Sequence, residues 1–328
     1  KKKKRIRFHR SFFLPFLITL TAAVALGVLA LAAHQWIMEP VKTKPAEVVR
    51  SDHGNETPRT EGVEPVEKED TAGDEEESVE AEPETVSRYQ EELDDPAYME
   101  ENNIYTVKPA EPGRVTMTFA GDILFDVNYA IMGSVRGSDD ISQGIMPEVM
   151  ERMQAADIMM LNNEFAYSDR GTPTEDKQFT FRARPGTAAY LTDLGVDLVS
   201  LANNHAYDYG PTALEDTLDT LRETGISYVG AGRNIDEARK PVYYIVGDMK
   251  IAFVSATQIE RLDTPDTKEA TETSPGVFRC WNGAKLLETI REAAQNSDFV
   301  VAYIHWGTEN QAELDWAQLK QAPELVAA

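Results

Sequence analysis

The sequence predicts an α/β domain with a largely parallel, buried core sheet from Arg114 onward. Short β-rich runs alternate there with segments of helical apolar period, which is typical of strands joined by crossover helices. Polar residues directly follow several of these predicted strands. Apolar residues make up 42 % of the 328-residue chain, but they are spread so unevenly that each region has to be interpreted separately.

The predicted elements follow one another in a regular order. The core strands are VTMTFA, DIMML, VDLVSLA, ISYVG and DFVVAYI. Helices are predicted for PEVMERMQAA, which Pro147 opens, for TAAYLTDLG, which Gly195 closes, and for PTALEDTLDTLRETG and AKLLETIREAAQNS. VYYIV and MKIAFVSA form a predicted hairpin around Gly247 and Asp248.

The N-terminal region predicts a membrane anchor. Seven of the first ten residues are Lys or Arg, and residues 12–33 carry no charge. About 20 apolar residues cross a bilayer as a helix, whereas the apolar part of a cleaved signal peptide usually has ~7–15. We therefore expect a basic cytoplasmic tail at residues 1–10 and a single transmembrane helix at residues 11–37. The positive charges place the rest of the chain outside the cytoplasmic membrane.

Residues 38–112 predict a disordered acidic linker. Residues 45–110 contain 21 acidic and five basic side chains, without an apolar period. Such a segment cannot bury enough apolar surface to offset its conformational entropy. It holds two thirds of the net charge of −24, so the acidity describes the linker more than the domain predicted at residues 113–328. The negative charge also argues against nucleic-acid binding.

Polar residues follow four predicted strands at the point where each strand ends. They are Asp122, Glu164, the run Asn203, Asn204 and His205, and His305. The carboxyl ends of parallel strands lie at one edge of a sheet, and ligands of open α/β folds bind there. Each residue alone has an ordinary explanation as a turn, cap, solvated or core residue. Their recurrence at four strand ends predicts one shared site.

The donor atoms of this predicted site indicate a divalent metal. Carboxylates, amide oxygens and imidazoles suit Mn, Fe, Zn or Mg, and no sulfur accompanies them, because the single cysteine, Cys280, is predicted to be a core residue. Two ions ~3.5–4 Å apart could clamp the attacking and leaving oxygens of a phosphoester and lower the pKa of a bound water. His205 and His305 are the only histidines in residues 113–328.

Several motifs resemble those of the capsule-synthesis CapA proteins, also called poly-γ-glutamate synthesis or PgsA-type proteins, a branch of the calcineurin-like metallophosphoesterase superfamily. They are FAGDILFD, LNNEF, FTFRARPGTAAYLTDLGVDLVSLANNHAYDYG, KIAFVSA and IHWGTE. The resemblance implies a metallophosphoesterase-like four-layer α/β/β/α sandwich with a dinuclear metal centre. Family members continue into a further strand and a GHHPH-like segment, so we expect the sandwich to be incomplete at the C-terminus of this sequence.

The resemblance also implies a role for each matching residue. The metal ligands would be Asp122, Glu164, Asn204 and His305. His205 resembles the residue that donates a proton to the leaving oxygen, and Asp208 would orient its imidazole. Contacts with an anionic substrate would come from Asn203, Arg182 and Arg184.

We therefore expect a membrane-anchored extracytoplasmic protein that acts in capsule or poly-γ-glutamate biosynthesis or export. The simplest activity for it is that of a metal-dependent hydrolase, which acts on a phosphoester, amide or acyl bond. The expected partners are membrane lipid around the N-terminal helix, subunits of a polyglutamate synthase and export complex, and an anionic polymer or phosphoester. Two alternatives stay open, a non-catalytic polymer-binding accessory subunit and an extracytoplasmic nucleotidase.

Overall fold

The structure is a computed structural model that describes residues 87–259 and 267–328. The predicted basic tail, the predicted transmembrane anchor and the first part of the predicted linker lie outside these residues. Among the helices that are described, none combines the length and the apolar character needed to cross a membrane.

The described elements alternate along the chain much as the sequence predicts. The strands are β1 (Ile104–Thr106), β2 (Met117–Ile123), β3 (Ile158–Asn163), β4 (Ala166–Tyr167), β5 (Arg182–Ala183), β6 (Leu198–Ser200), β7 (Ser227–Val229), β8 (Ala231–Gly232), β9 (Val242–Val246), β10 (Met249–Thr257), β11 (Gly276–Val277) and β12 (Phe299–His305). The α-helices are α1 (Gln90–Leu93), α2 (Pro96–Glu101), α3 (Met132–Ser138), α4 (Pro147–Gln154), α5 (Ala189–Asp193), α6 (Gly210–Thr224), α7 (Ile235–Arg239), α8 (Ala284–Gln295) and α9 (Trp316–Val326).

Two four-stranded sheets form the core. The first has the order β2-β3-β6-β7, and all its neighbouring strands are parallel. The second has the order β1-β9-β10-β12, in which β9 and β10 form an antiparallel hairpin and the other pairs are parallel. Gly247 turns this hairpin with a φ of 60°, a conformation that glycine adopts without strain. The predicted α/β class, with its parallel sheet and its hairpin, is confirmed.

Successive side chains of β3 pack on opposite faces of the first sheet. Met160 belongs to a cluster with Phe253 of β10 between the two sheets. The next residue, Leu161, belongs to a cluster with Leu218 of α6 on the outer face. A third cluster joins β10 to α8 on the outer face of the second sheet. The order of layers is therefore helices, sheet, sheet, helices, and each fully buried large side chain contributes about 1.5–3 kcal/mol.

The segment before the core does not match the predicted linker. Residues 87–112 contain α1, α2 and β1, and β1 pairs in parallel with β9. Ile104 belongs to a buried core cluster, whereas Tyr105 and Thr106 are exposed. Tyr89 adds a hydrogen bond of 2.8 Å from its hydroxyl to Asp298. The apolar side chains of this segment are irregularly spaced, so its sequence shows no periodicity, and the prediction of disorder up to residue 112 does not hold here.

The strand register aligns the polar strand ends. Asp122 lies opposite Asn162, and Asn162 lies opposite Ser200, so β2, β3 and β6 end at one edge of the first sheet. His305, however, ends β12 in the second sheet, where it lies opposite Thr257. The convergence predicted for one parallel sheet is therefore built from the facing ends of two sheets. The hydroxyl of Tyr303 donates to the carbonyl of Ala120 at 2.7 Å and joins β12 to β2.

Candidate active site

Two carboxyl groups meet where β2 and β3 end. Burial raises the pKa of Glu164 to about 9, and its hydrogen bond with Asp122 and the charge of Asp122 act in the same direction. Burial also acts to raise the pKa of Asp122, but hydrogen bonds from Glu164 and Asn162 and the charge of His305 outweigh it, so that this pKa is lowered. Near neutral pH, Glu164 therefore holds a proton that it donates to the ionised Asp122.

Asn162 connects this carboxyl pair to the next loop, although the sequence assigned it no role. Its Nδ2 donates to Asp122 Oδ1 at 2.8 Å and to Glu164 Oε2 at 3.4 Å. Its Oδ1 accepts from Asn203 Nδ2 at 2.9 Å. The NNE motif shows that an asparagine precedes Glu164. It does not show which of the two asparagines faces the site, because that depends on the alternation of β3 side chains between the sheet faces.

His305 and Asn204 form the second part of the site. His305 Nε2 lies 3.0 Å from Asn204 Oδ1 and 3.6 Å from Glu164 Oε1. Burial lowers the pKa of His305 and outweighs the charge of Asp122, which acts to raise it. The carbonyl of His305 accepts from Thr257 Oγ1 at 3.1 Å, and this bond fixes the strand end that carries the imidazole.

His205 and Asp208 form a buried hydrogen-bonded pair beside these groups. His205 Nδ1 lies 2.8 Å from Asp208 Oδ2, and the two residues are 9 % and 0 % exposed. Because an ionised carboxylate only accepts, Nδ1 carries a proton in this pair and Nε2 is left for another partner. The Phe181 ring lies 4.4 Å from the imidazole ring and packs against it. The orienting role predicted for Asp208 agrees with this geometry.

Lys177 is the clearest residue that the sequence interpretation missed. Its Nζ donates to Asp208 Oδ1 at 2.6 Å and to the backbone carbonyl of Asn204. The Lys177 side chain is 5 % exposed and that of Asp208 is 0 % exposed, so the two form a buried ion pair under the ANNH loop. Lys177 lies in an aperiodic loop between β4 and β5, where a lysine is usually a solvated surface residue.

Asn203, which was predicted to contact a substrate, has its amide engaged within the protein. The residue is fully buried, and its Nδ2 donates to Asn162 Oδ1 and to the carbonyl of Asn163, both at 2.9 Å. Its Oδ1 accepts from the backbone N–H of His205 at 2.9 Å. These bonds engage the whole amide, so Asn203 fixes the positions of its neighbours in the loop.

Arg182 and Arg184 lie outside the group of carboxyl, amide and imidazole side chains. No hydrogen bond or ion pair joins either arginine to that group among the described residues. Both instead line a separate cavity together with Arg136 of α3. Their predicted contact with an anion therefore has a different location from the predicted metal ligands.

The donor atoms at the strand ends suit a divalent cation by their chemistry. Within the described ranges, no group of three or more His, Cys, Asp or Glu side chains is arranged to hold a metal ion as it stands. The chemistry of the donors fits nonetheless, because two carboxyls, an amide oxygen and an imidazole meet without sulfur. Asp122 and Glu164 share a proton at the place where a cation would otherwise balance their charges. The residues that would hold the ion are Asp122, Glu164, Asn204 and His305.

Fold and site together define a two-sheet α/β protein with carboxyl, amide and imidazole groups at its strand ends. The model of the family described as bacterial capsule synthesis protein PGA_cap matches residues 116–328. The chain belongs to this family, as its motifs predicted.

Curated relatives carry names that agree with this family. The capsule biosynthesis protein CapA of Bacillus anthracis is 29 % identical over 62 % of this chain and 49 % of its own length. The PGA biosynthesis protein CapA of Bacillus subtilis is 27 % identical over 62 % of this chain and 52 % of its own length. A Mycobacterium tuberculosis relative, named as a probable polyglutamine synthesis accessory protein, is 29 % identical over 47 % of this chain and 42 % of its own length. The chain thus spans about half the length of the curated relatives it matches.

The raised pKa of Glu164 predicts that the metal-free protein loses stability as the pH rises. Between the ordinary pKa of 4.5 and the folded value of about 9, folded Glu164 holds a proton that the unfolded chain has released. The free energy of unfolding should therefore fall by up to about 1.4 kcal/mol per pH unit for this one proton. Urea unfolding between pH 5 and pH 9 in EDTA measures this slope.

Glu164→Gln is the matched variant for this measurement, because glutamine keeps the size of the side chain and removes the titration. We expect a flatter pH dependence for the variant than for the wild type. If both proteins lose stability equally between pH 5 and pH 9, the proton does not reside on Glu164.

Proposed function

We propose that the protein is a metal-dependent hydrolase that acts in the assembly or export of an anionic capsule polymer of the poly-γ-glutamate type. One observation carries the proposal: the strand ends of two sheets bring Asp122, Glu164, Asn204 and His305 together beside the pair of His205 and Asp208. Membership of the capsule synthesis family supports the biological setting. The fold would then be of the metallophosphoesterase type.

Each residue has a task in this proposal. Asp122, Glu164, Asn204 and His305 would hold two divalent ions, which when bound supply Lewis acidity and lower the pKa of water. His205, as an imidazolium with a proton on each ring nitrogen, donates its Nε2 proton to the leaving oxygen and becomes neutral. Asp208 keeps the other ring nitrogen protonated and fixes the plane of the imidazole. Asn162 fixes the positions of the two carboxyl groups relative to each other through its hydrogen bonds to both.

We also propose where this reaction takes place. The domain would stand outside the cytoplasmic membrane on the predicted N-terminal anchor, beside the subunits of a polymer synthase and export complex. Its substrate would be an anionic polymer, or a phosphoester formed during anchoring of that polymer. The names of the Bacillus relatives support a role in polymer production and do not specify the bond that is cleaved.

The metal content and the activity of the 328-residue chain test this proposal together. We expect the chain to bind Mn, Fe, Zn or Mg by elemental analysis and to hydrolyse a generic aryl phosphate when loaded. Asp122→Ala should lower both the metal content and the rate, because it removes one carboxyl of the shared pair. Asp193→Ala, an exposed carboxylate at the end of α5, is the control and should change neither. A loaded protein without turnover would remove the phosphoesterase proposal.

A non-catalytic role as a polymer-binding accessory subunit is the second candidate. One observation favours it: a relative is named as a probable polyglutamine synthesis accessory protein. Cells that carry His205→Ala distinguish the two functions. A hydrolase loses polymer output with this variant, whereas an accessory subunit that keeps its metal-binding residues retains it.

A further inference from the structure

Three arginines from separate elements line a single cavity. Arg136 lies on α3, Arg182 lies on β5, and Arg184 precedes the short 3-10 turn Pro185–Ala188. The cavity has a volume of about 860 Å³. This volume falls within the range of about 300–1,000 Å³ that is usual for small-molecule sites.

These arginines differ from most others in the described chain because they have no carboxylate partner within it. Arg136 donates to the carbonyl of Val127, and Arg182 donates to the carbonyl of Arg170 at 3.5 Å. By contrast, Arg222 in another cavity is already paired with Glu237 at 2.8 Å. In a chain with a net charge of −24, arginines that lack internal carboxylates leave their forked donors available for an external anion.

The rest of the cavity wall favours a chain over a simple anion. Phe125 and Met132 supply a buried apolar wall, and the carboxylates of Asp139, which accepts from the Tyr190 hydroxyl, and Asp169 supply acceptors. A phosphate ion would gain no favourable contact from the apolar wall or from a carboxylate acceptor. A polyamide that carries carboxylates has methylene groups for the apolar wall, amide N–H groups for the acceptors and carboxylates for the guanidinium groups. The combined chemistry matches that chain at each wall.

One backbone segment contributes both to the candidate active site and to the cavity wall. The backbone N–H of Phe181 donates to Asp208 Oδ2 at 2.6 Å, and its ring packs on His205. The next backbone N–H, that of Arg182, donates to Asp126 Oδ2 at 2.9 Å, and the Arg182 side chain turns to the cavity. One short segment therefore leads from the acid-base pair to the cavity wall.

We propose that this cavity binds a stretch of carboxylate-bearing polyamide chain and delivers it to the strand-end site. The polymer class rests on the function proposed above, whereas the location and the guanidinium contacts rest on the cavity itself. Arg136 and Arg184 hold carboxylates of the chain, and Arg182, whose guanidinium lies 4.4 Å from the Tyr209 ring, holds the part nearest to His205.

Fluorescence anisotropy with dye-labelled γ-linked pentaglutamate tests this inference on the 328-residue chain in EDTA, so that no metal contributes. We expect the wild type to bind, and the double variant Arg136→Gln, Arg184→Gln to bind at least about 10-fold more weakly, because two charge-assisted contacts are lost. Both arginines are exposed, so the variant should fold as the wild type does, and its circular dichroism checks this.

Arg152→Gln is the matched control. Arg152 is an exposed arginine of α4 that does not line the cavity, and its loss should leave the affinity within about twofold of the wild type. Three results would overturn the inference: no binding to the wild type, equal binding to the double variant, or equally strong displacement by tripolyphosphate. The assay excludes metal, so it is independent of the proposed hydrolysis. If the protein binds the oligomer but hydrolyses nothing, the assignment of the cavity stands and only the hydrolase proposal is wrong.

Discussion

Replacing His205 by alanine is expected to lower the rate of metal-dependent hydrolysis by about 10²–10⁴-fold and to leave the metal content unchanged. The imidazole has its Nδ1 committed to Asp208, so only Nε2 can donate a proton to the leaving oxygen. The loss should be smaller for p-nitrophenyl phosphate than for phenyl phosphate, because a good leaving group needs less protonation. Steady-state rates on both esters measure this difference.

His305→Ala is the matched control for that experiment. It removes the other imidazole of the described site, and we expect it to lower the metal content as well as the rate, because His305 lies among the proposed ligands. If His205→Ala also loses metal, or loses the same factor of rate on both esters, His205 is a ligand or a structural residue and donates no proton.

Replacing Lys177 by methionine is expected to lower the free energy of unfolding by about 3–5 kcal/mol. The variant keeps the length of the side chain but removes the ammonium that pairs with the fully buried Asp208 carboxylate. It also removes a donor from the carbonyl of Asn204. An uncompensated buried charge costs more than the ion pair contributes, so the effect should exceed that of an average substitution. Urea unfolding with a linear extrapolation measures it.

Lys320→Met is the control for the cost of losing a lysine. Its pair with Glu324 has an N–O distance of 3.5 Å and exposed side chains, so its loss should change the free energy of unfolding by less than about 0.5 kcal/mol. Adding Asp208→Asn to Lys177→Met should recover part of the stability, because the buried charge is removed with its partner. A cost below about 1 kcal/mol for Lys177→Met would show that Asp208 does not need this cation.

The sequence predicted much of the site because strand ends are encoded locally. A buried apolar run followed by a polar residue locates Asp122, Glu164 and Asn204 without knowledge of the fold, and parallel pairing brings them to one edge. The sheet to which His305 belongs was not predicted, because the pairing of β12 with β10 depends on contacts between distant parts of the chain. His305 and Asn204, which the family resemblance implies as metal ligands, lie with Nε2 and Oδ1 3.0 Å apart.

The residues that the sequence interpretation missed share a physical cause. Lys177 comes from an aperiodic loop, and only the folded chain shows that its ammonium is buried against Asp208. Asn162 lies in a strand whose neighbouring asparagine is chemically identical, so composition alone could not choose between them. Ile104 belongs to a strand of three residues, which is too short for hydrophobic patterning to detect.

The segment that runs from Phe181 to Arg184 has a thermodynamic consequence. Phe181 restrains the proton donor through Asp208, while Arg182 faces the cavity from the adjoining peptide group. Under the polymer-binding proposal, an oligomer held by Arg182 is therefore coupled to the peptide group that donates to Asp208. By linkage, if the filled cavity favours one orientation of the imidazole, the polymer binds more tightly to protein molecules that already have that orientation.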